Sequence, residues 1–390
     1  MARRFRRTVT VLVAVAAVVT LAGGAAHAAT ASPARHGGCA ALFAARGTVY
    51  VVNWTGGVTP IPVCTNTPGK PIPVGDGPVA IAITPNGRTA YVANENSGTV
   101  TPIDTRTNKA GAAIKVGPYP AGIEITPDGR TAYVLGGPGV TPISTRTNKA
   151  GAPIKVAGSA IVFAPDSRTA YVVTYSAHGT VTPVSTRTGK AGPAIRVGAY
   201  PWYAAITRDG RTVYVVNRGS GTVTPISTRT NRAGAPIPVG PIPDGGIGYG
   251  SIAITPNDRT AYVTTASGVT PINLRTNKAG TPVPIAGGRA TWLAITPNGR
   301  TVYVDNPWHV TPVSIRTNTA GSPINAGEAP FNMAMTKDGA TLYVVNYVRA
   351  GGTPLGGVTP VSTATNRPGK LIPVGVNPYP IAITPPSWRR

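Results

Sequence analysis

Acidic side chains are scarce in this chain of 390 residues: 12 aspartates and glutamates stand against 36 lysines and arginines, for a formal charge of +24. Only four histidines and two cysteines are present. Catalysis needs placed acids, bases, nucleophiles or metal ligands, and this inventory offers few. There is no Asp-rich calcium loop, no His-Glu-x-x-His helix and no Gly-x-Ser-x-Gly elbow. Two thiols are too few for a zinc cage. The glycines between Asp244 and Gly250 resemble a phosphate loop only superficially, because no strand-to-helix junction surrounds them. With 41 prolines and 48 glycines, no window remains for a long helix. The composition favours a noncatalytic protein with no resident metal or cofactor.

Long apolar runs are missing too, with one exception. Arg3, Arg4, Arg6 and Arg7 precede an apolar stretch from Val9 to Leu21, and Ala26-His27-Ala28 follows it. This pattern predicts a signal peptide over residues 1–28 with cleavage before Ala29, and a secreted or extracytoplasmic product. The residues after either arginine pair fit a twin-arginine motif poorly, which favours the general secretory route. Residues 29–39 then form an N-terminal arm, and residues 386–390 a basic C-terminal tail. No second run is long enough to cross a bilayer. A disulfide persists outside the cytoplasm, so Cys39 and Cys64 are expected to pair, stabilising by about 3 kcal/mol in the chain-entropy model. Without the four signal-segment arginines the charge is +20, which favours anionic partners.

What is abundant is repetition. Val-Thr-Pro starts at Val58, Val100, Val140, Val181, Val223, Val269, Val310 and Val358. A Tyr-Val pair precedes each, at Tyr50, Tyr91, Tyr133, Tyr171, Tyr214, Tyr262, Tyr303 and Tyr343. One unit reads as four short β-rich runs punctuated by Gly, Pro and Asn: Ile81 to Thr84, Thr89 to Asn94, Thr99 to Asp104, and Ala113 to Gly117. We label them strands A, B, C and D. Four antiparallel strands repeated about every forty residues predict an all-β fold, a single β-propeller of eight four-stranded blades over residues 40–385.

Strand A recurs once more at Ile381-Ala382-Ile383-Thr384 with no B, C or D after it. The favoured reading is ring closure, in which this C-terminal strand completes the blade begun by Thr48 to Val74. Ala40 to Asn53 also aligns with Ile81 to Asn94 and is a competing source of that strand. Pro102 and its equivalents are awkward inside strand C, since proline cannot donate to a ladder. They fit if strand D pairs only later along C.

Tyr91-Val92-Ala93-Asn94, the Tyr-Val-Val-Asn segments at Tyr50, Tyr214 and Tyr343, the Ile-Thr-Pro-Asn-Gly-Arg-Thr turn and the Val-Thr-Pro-Ile strand resemble the YVTN-repeat β-propellers of bacterial exported and archaeal surface proteins. The resemblance spans roughly residues 40–385 and implies the same fold. It leaves function open, because propellers serve as scaffolds, binding platforms and enzymes. Gly136, Thr174 and Thr265 stand where the motif has Asn, which argues against a role for that Asn beyond a turn cap.

In an A-B-C-D blade the A–B and C–D turns leave one face of the disc, and the B–C and D–A loops the other. The A–B turns carry Arg88, Arg130, Arg168, Arg211, Arg259 and Arg300; the C–D turns carry Arg106, Arg146, Arg187, Arg229, Arg275 and Arg316. Lys109, Lys149, Lys190, Arg232 and Lys278 follow on the same turns. Seventeen of the 32 basic residues outside the signal segment thus form a ring on one face. One reading is a surface that gathers many weak contacts to a polyanion. The other is that these arginines are turn-structure residues, bonding loop carbonyls or turn aspartates. The opposite face holds irregular loops rich in aromatics, where Tyr119, Tyr200, Trp202, Tyr203, Tyr249, Trp292, Trp308 and His309 are the candidate ligand contacts, or wedges between blades near the axis.

The function these features favour is a secreted, monomeric binding or scaffold module for an anionic cell-envelope component or a protein partner; nucleic-acid binding ranks third, since the charge permits it but export disfavours the encounter. The alternative is a lactonase-like hydrolase in which Asp76, Glu124, Asp244 and Glu328 converge on a cation at the channel mouth.

Overall fold

The computed structural model describes residues 47–137, 139–243, 250–350 and 353–385. The expected signal segment, the N-terminal arm with Cys39, Asp244, Tyr249 and the C-terminal tail lie outside these residues. Among the described residues there is no helix, and therefore none long and apolar enough to cross a membrane.

The strands form eight antiparallel sheets. Blade 2 shows the pattern: A is Pro78–Ile83, B is Thr89–Asn94, C is Thr99–Asp104, and D is split into Lys109–Ala110 and Ile114–Lys115. Each A strand contacts the A strands of the two neighbouring blades, so the eight close into a ring around a central axis. This is the eight-bladed β-propeller the repeats predict.

Its apolar core is divided. Eight separate hydrophobic clusters exist, one at each joint between adjacent blades, as where Ala93 and Val100 of blade 2 meet Ile123 and Val134 of blade 3. Both faces of every sheet are covered, which explains why strand B is buried almost throughout rather than alternating.

Blade 1 is closed by the C-terminal strand. Pro378–Ile383 pairs antiparallel with Thr48–Asn53, matching Val49 with Ile383 and Val51 with Ile381. Thr384 extends the seam: its backbone N–H donates to Thr48 O at 2.9 Å, and its hydroxyl accepts from Thr48 N at 2.7 Å. The competing segment before Thr48 lies largely outside the described residues, but its place beside strand B is taken.

Strand D does not begin late along C. It pairs with both ends of C and breaks opposite the proline: Lys109 and Ala110 face Asp104 and Ile103, while Ile114 and Lys115 face Val100 and Thr99. At the break Gly111 N–H donates to Pro102 O at 2.7 Å. All eight blades repeat this Gly-to-Pro bond, as from Gly69 to Pro60 and from Gly369 to Pro360. Proline's carbonyl is used and its missing N–H faces the break. A Cβ at Gly111 would sit 3.2 Å from Pro102 Cγ, closer than ordinary contact, so a larger residue at the crossing would push the proline ring aside.

A second periodic bond ties blade to blade. The C–D turn holds an Asn in left-handed conformation, φ between 51° and 55°, at 66, 108, 148, 231, 277, 318 and 366. Asn tolerates this conformation better than most residues. Its Oδ1 accepts the hydroxyl of the strand-B tyrosine one blade earlier: Tyr50 to Asn108 and Tyr91 to Asn148, both at 2.6 Å, and round the ring to Tyr343 and Asn66, also at 2.6 Å. Burial holds the Tyr91, Tyr214 and Tyr262 hydroxyls up at about 12, so they stay protonated donors. The eighth joint differs. Gly189 replaces Asn, and Tyr133 reaches only Thr186 O, at 3.4 Å.

Removing one hydroxyl should therefore be felt unequally. Tyr91→Phe strips a well-made bond and leaves Asn148 without its donor, for a loss of about 1–2 kcal/mol, whereas Tyr133→Phe should cost about 0.5 kcal/mol or less. Urea denaturation of the two variants reads the difference, and equal losses would contradict the latch.

Candidate functional site

Two regions stand out, one on each face. On the turn face, the A–B and C–D turns of each blade are stitched together by a backbone bond from the second to the first, as from Thr105 N to Arg88 O at 3.1 Å and from Thr228 N to Arg211 O at 2.9 Å. All seventeen basic side chains of the two turn sets are exposed here. Arg130 and Arg211 each approach the aspartate of their own turn, Asp128 at 3.9 Å and Asp209 at 3.7 Å, with the arginine side chains 86 % exposed. At such exposure these pairs contribute little. The other fifteen make no ion pair or side-chain hydrogen bond among the described residues.

The backbone shows what the turns require. Arg88 N–H donates to Asn86 Oδ1, Arg130 N–H to Asp128 Oδ1 and Arg300 N–H to Asn298 Oδ1. These are main-chain bonds, indifferent to the arginine side chain. Blade 8 demonstrates it, because Ala340 occupies the arginine position, donates to Asp338 Oδ1 at 3.0 Å and accepts from Thr363 N at 3.1 Å. Its C–D turn likewise has Ala364 where others have arginine, yet Asn366 N–H still bonds Ser362 O at 2.8 Å. Both turns form without a guanidinium.

On the loop face, aromatic side chains from several blades meet at the axis. Tyr203 of blade 5 and Trp292 of blade 7 lie 5.5 Å apart between ring centres. Tyr203 also meets Trp202, which packs against Tyr175, which packs against Tyr200. Arg218 sits 5.5 Å over the Trp202 ring. From the other side Phe331 joins Tyr347 and Tyr379. Burial holds the Tyr203 hydroxyl well above its ordinary pKa, with a further push from Tyr379 of blade 1, which lies opposite in the ring; Trp202 and Arg218 offset this in part.

Several polar atoms in this layer have no protein hydrogen-bond partner: Trp292 Nε1, Tyr379 Oη and Glu95 Oε2. Burial raises the pKa of Glu95.

The candidate loop-face residues are therefore dispersed. Trp202, Tyr203 and Trp292 come together with Tyr200; Tyr203 and Trp292 are buried, whereas Tyr200 is exposed. Tyr119 and Trp308 stand apart and exposed, at 66 % and 52 %. His309 donates its backbone N–H to Asn306 Oδ1, and its Nδ1 is buried. Tyr175, Arg218, Phe331, Tyr347 and Tyr379 belong to the layer but are not among the ligand contacts expected from the sequence. Pro378-Tyr379-Pro380 repeats Pro118-Tyr119-Pro120, and that echo was the available signal for Tyr379.

Glu124 borders a cavity of ≈ 40 Å³ with Ile125, Ile161, Val162, Phe163 and Ile206. Burial raises its pKa strongly. Among the described residues no three His, Cys, Asp or Glu side chains come together to hold a metal ion. Cys64 is on the C–D turn of blade 1 at the arginine position, and no described cysteine is a free thiol.

No protein-family model and no curated protein matches the sequence. Solved structures do. The chain is similar to hydrazine synthase of Kuenenia stuttgartiensis, with a TM-score of 0.58 and 21 % identity over 74 % of this chain and 96 % of that one. It is also similar to dihydro-heme d1 dehydrogenase NirN in complex with DHE, with a TM-score of 0.69 and 17 % identity over 86 % of this chain and 75 % of that one. At these identities the likeness is one of fold, and it places the chain among β-propellers.

Proposed function

We propose that this protein is an exported, noncatalytic propeller of the YVTN-repeat type that binds an anionic cell-envelope polymer across its turn face. The observation that carries this is the seventeen exposed basic side chains on turns whose bonds need no arginine, as Ala340 and Ala364 make plain. Side chains that do not build the turn are available to a ligand. Spacing about a ring suits a polymer with repeated negative charge, for which individually weak contacts add up to avidity. The arginine-led apolar N-terminus supports export, and the charge left after its removal supports an anionic surface as partner. A disulfide between Cys39 and Cys64, as expected from the sequence, would belong to the same extracytoplasmic reading.

The test is retention on an immobilised anionic polymer such as teichoic acid or heparin. Retention should fall steeply as salt rises, because bound counterions are released on association. Reversing Arg106, Arg146, Arg187 and Arg229 to Glu should weaken binding by roughly tenfold or more while leaving the melting transition nearly unchanged. Retention indifferent to both salt and the reversals would overturn the proposal.

A further inference from the structure

Seven of the eight blade joints are sealed on the turn face by the tyrosine–asparagine bond, and the joint between blades 3 and 4 is not. There Gly189 supplies no side chain, and an open groove of ≈ 430 Å³ is found at that joint. That volume is on the order of small-ligand sites, more than a bare ion needs. Lys149 and Arg187 border it with cationic side chains. Thr131, Ser144 and Thr188 border it with hydroxyls, and Pro142 and Ile154 add apolar surface. Tyr133, packed on Phe163 with ring centres 5.3 Å apart, also lines it, and its hydroxyl has only the long contact to Thr186 O.

Positive charge, several hydroxyls and a patch of apolar surface are what an acidic sugar presents in complement: one negative group, ring hydroxyls and a C–H face. We propose that this groove binds a single acidic sugar unit, its carboxylate or phosphate held by Lys149 and Arg187 and its hydroxyls by the Tyr133 and threonine side. The inference rests on the polymer-binding reading and deepens it. A ring of charge alone holds a polyanion in any register, whereas a groove at the joint that lacks the asparagine would seat one residue of the polymer and fix its position.

The decisive variant is Gly189→Asn, because the other seven joints show the result. Gly189 has φ 68°, in the left-handed region where the seven asparagines lie. A Cβ there meets only Ile154 carbons, at 3.7 and 3.8 Å, which is ordinary contact. The new amide should accept the Tyr133 hydroxyl and close the groove.

Full-length mature protein would be titrated by calorimetry with glucuronate, glucose 6-phosphate and neutral glucose. We expect one-to-one binding of at least one acidic sugar, about tenfold or more tighter than glucose. Gly189→Asn should abolish it while raising the melting temperature, and Lys149→Glu, a change at an exposed side chain, should weaken it to a similar extent. A preference for glucuronate identifies a uronic-acid polymer, and one for glucose 6-phosphate a sugar-phosphate polymer. Absence of saturable binding by either acid, equal binding of glucose, or undiminished binding in the folded Gly189→Asn protein would overturn the site. Polymer retention is scored separately: Gly189→Asn should keep it, so loss of the groove and failure of the turn-face reading give different results.

Discussion

Ending the chain at Asn377 should abolish the cooperative fold. The truncation removes strand A of blade 1, and with it Tyr379, Ile381 and Ala382, all buried. It also uncovers the hydrophobic clusters on both sides of that blade, where Ile381 packs with Val49, Val345 and Val374, and Ala382 with Tyr50, Val92 and Ile81. Each large side chain taken from the core accounts for about 2–3 kcal/mol, and the total rivals the 5–15 kcal/mol that holds a typical protein folded. Strand B of blade 1 is left as an unpaired edge lined with valine, a template for aggregation. Size-exclusion chromatography with thermal melting reads the outcome. Adding a peptide spanning residues 377–385 in trans should restore a melting transition by strand addition. A truncated chain that melts cooperatively at the full-length temperature would refute closure by this strand.

Asp305→Asn should stabilise the protein at alkaline pH and do little at acid pH. Asp305 is at the end of strand B in blade 7, where other blades carry Ala93, Val52 or Val216. Its carboxylate accepts from Thr291 Oγ1 and from Trp292 N, the latter at 2.6 Å, but Oδ2 has no partner. Burial raises its pKa from 3.8 to about 7, and the two hydrogen bonds offset only part of this. In the unfolded chain the group is ionised above about pH 4, so between pH 4 and 7 the folded state binds the extra proton. Its contribution to stability is therefore full below pH 4 and is lost as pH rises through 7. About three pKa units correspond to roughly 4 kcal/mol, an upper bound that relaxation and water penetration reduce. The amide keeps the acceptor oxygen and carries no charge. The melting-temperature difference between the two proteins should be smallest near pH 4, widen steadily through pH 5 and 6 and level off above about pH 7; a difference independent of pH would mean the carboxyl is not the cause.

Much of the fold was legible because each strand signal recurred eight times. Tyr-Val counted the B strands, Val-Thr-Pro the C strands, and the surplus strand A at the C-terminus had one free place beside Thr48–Asn53. Face assignment followed from strand order alone, since antiparallel neighbours must turn on alternate sides. Repetition also concealed things. Tyr91 and Asn148 are 57 residues apart, and a perfect repeat looks the same whether each tyrosine bonds its own blade's asparagine or the next one's. Only packing decides, because the strand-B tyrosine points into the joint. The strand-D break was illegible for another reason: the proline rule says where an N–H is missing but not that a glycine opposite will use the carbonyl. The aromatic layer at the axis arises from irregular loops without periodic spacing, so composition flagged Trp202, Tyr203 and Trp292 while their meeting across blades depended on ring closure.

The tyrosine–asparagine bond has a consequence for how such a chain changes size. Every blade but blade 4, where Gly189 stands, carries both a donor directed toward its successor and an acceptor presented to its predecessor, so both halves travel in a single forty-residue stretch of gene. A tandem duplication of that stretch brings in a complete pair of ends, and the newcomer bonds its neighbours without a compensating substitution. The hydrogen-bonding chemistry therefore sets no limit on blade number. What limits it is the circumference over which the A strands still touch, and the asparagine lost at position 189 shows that one joint can drift while seven hold the wheel in register.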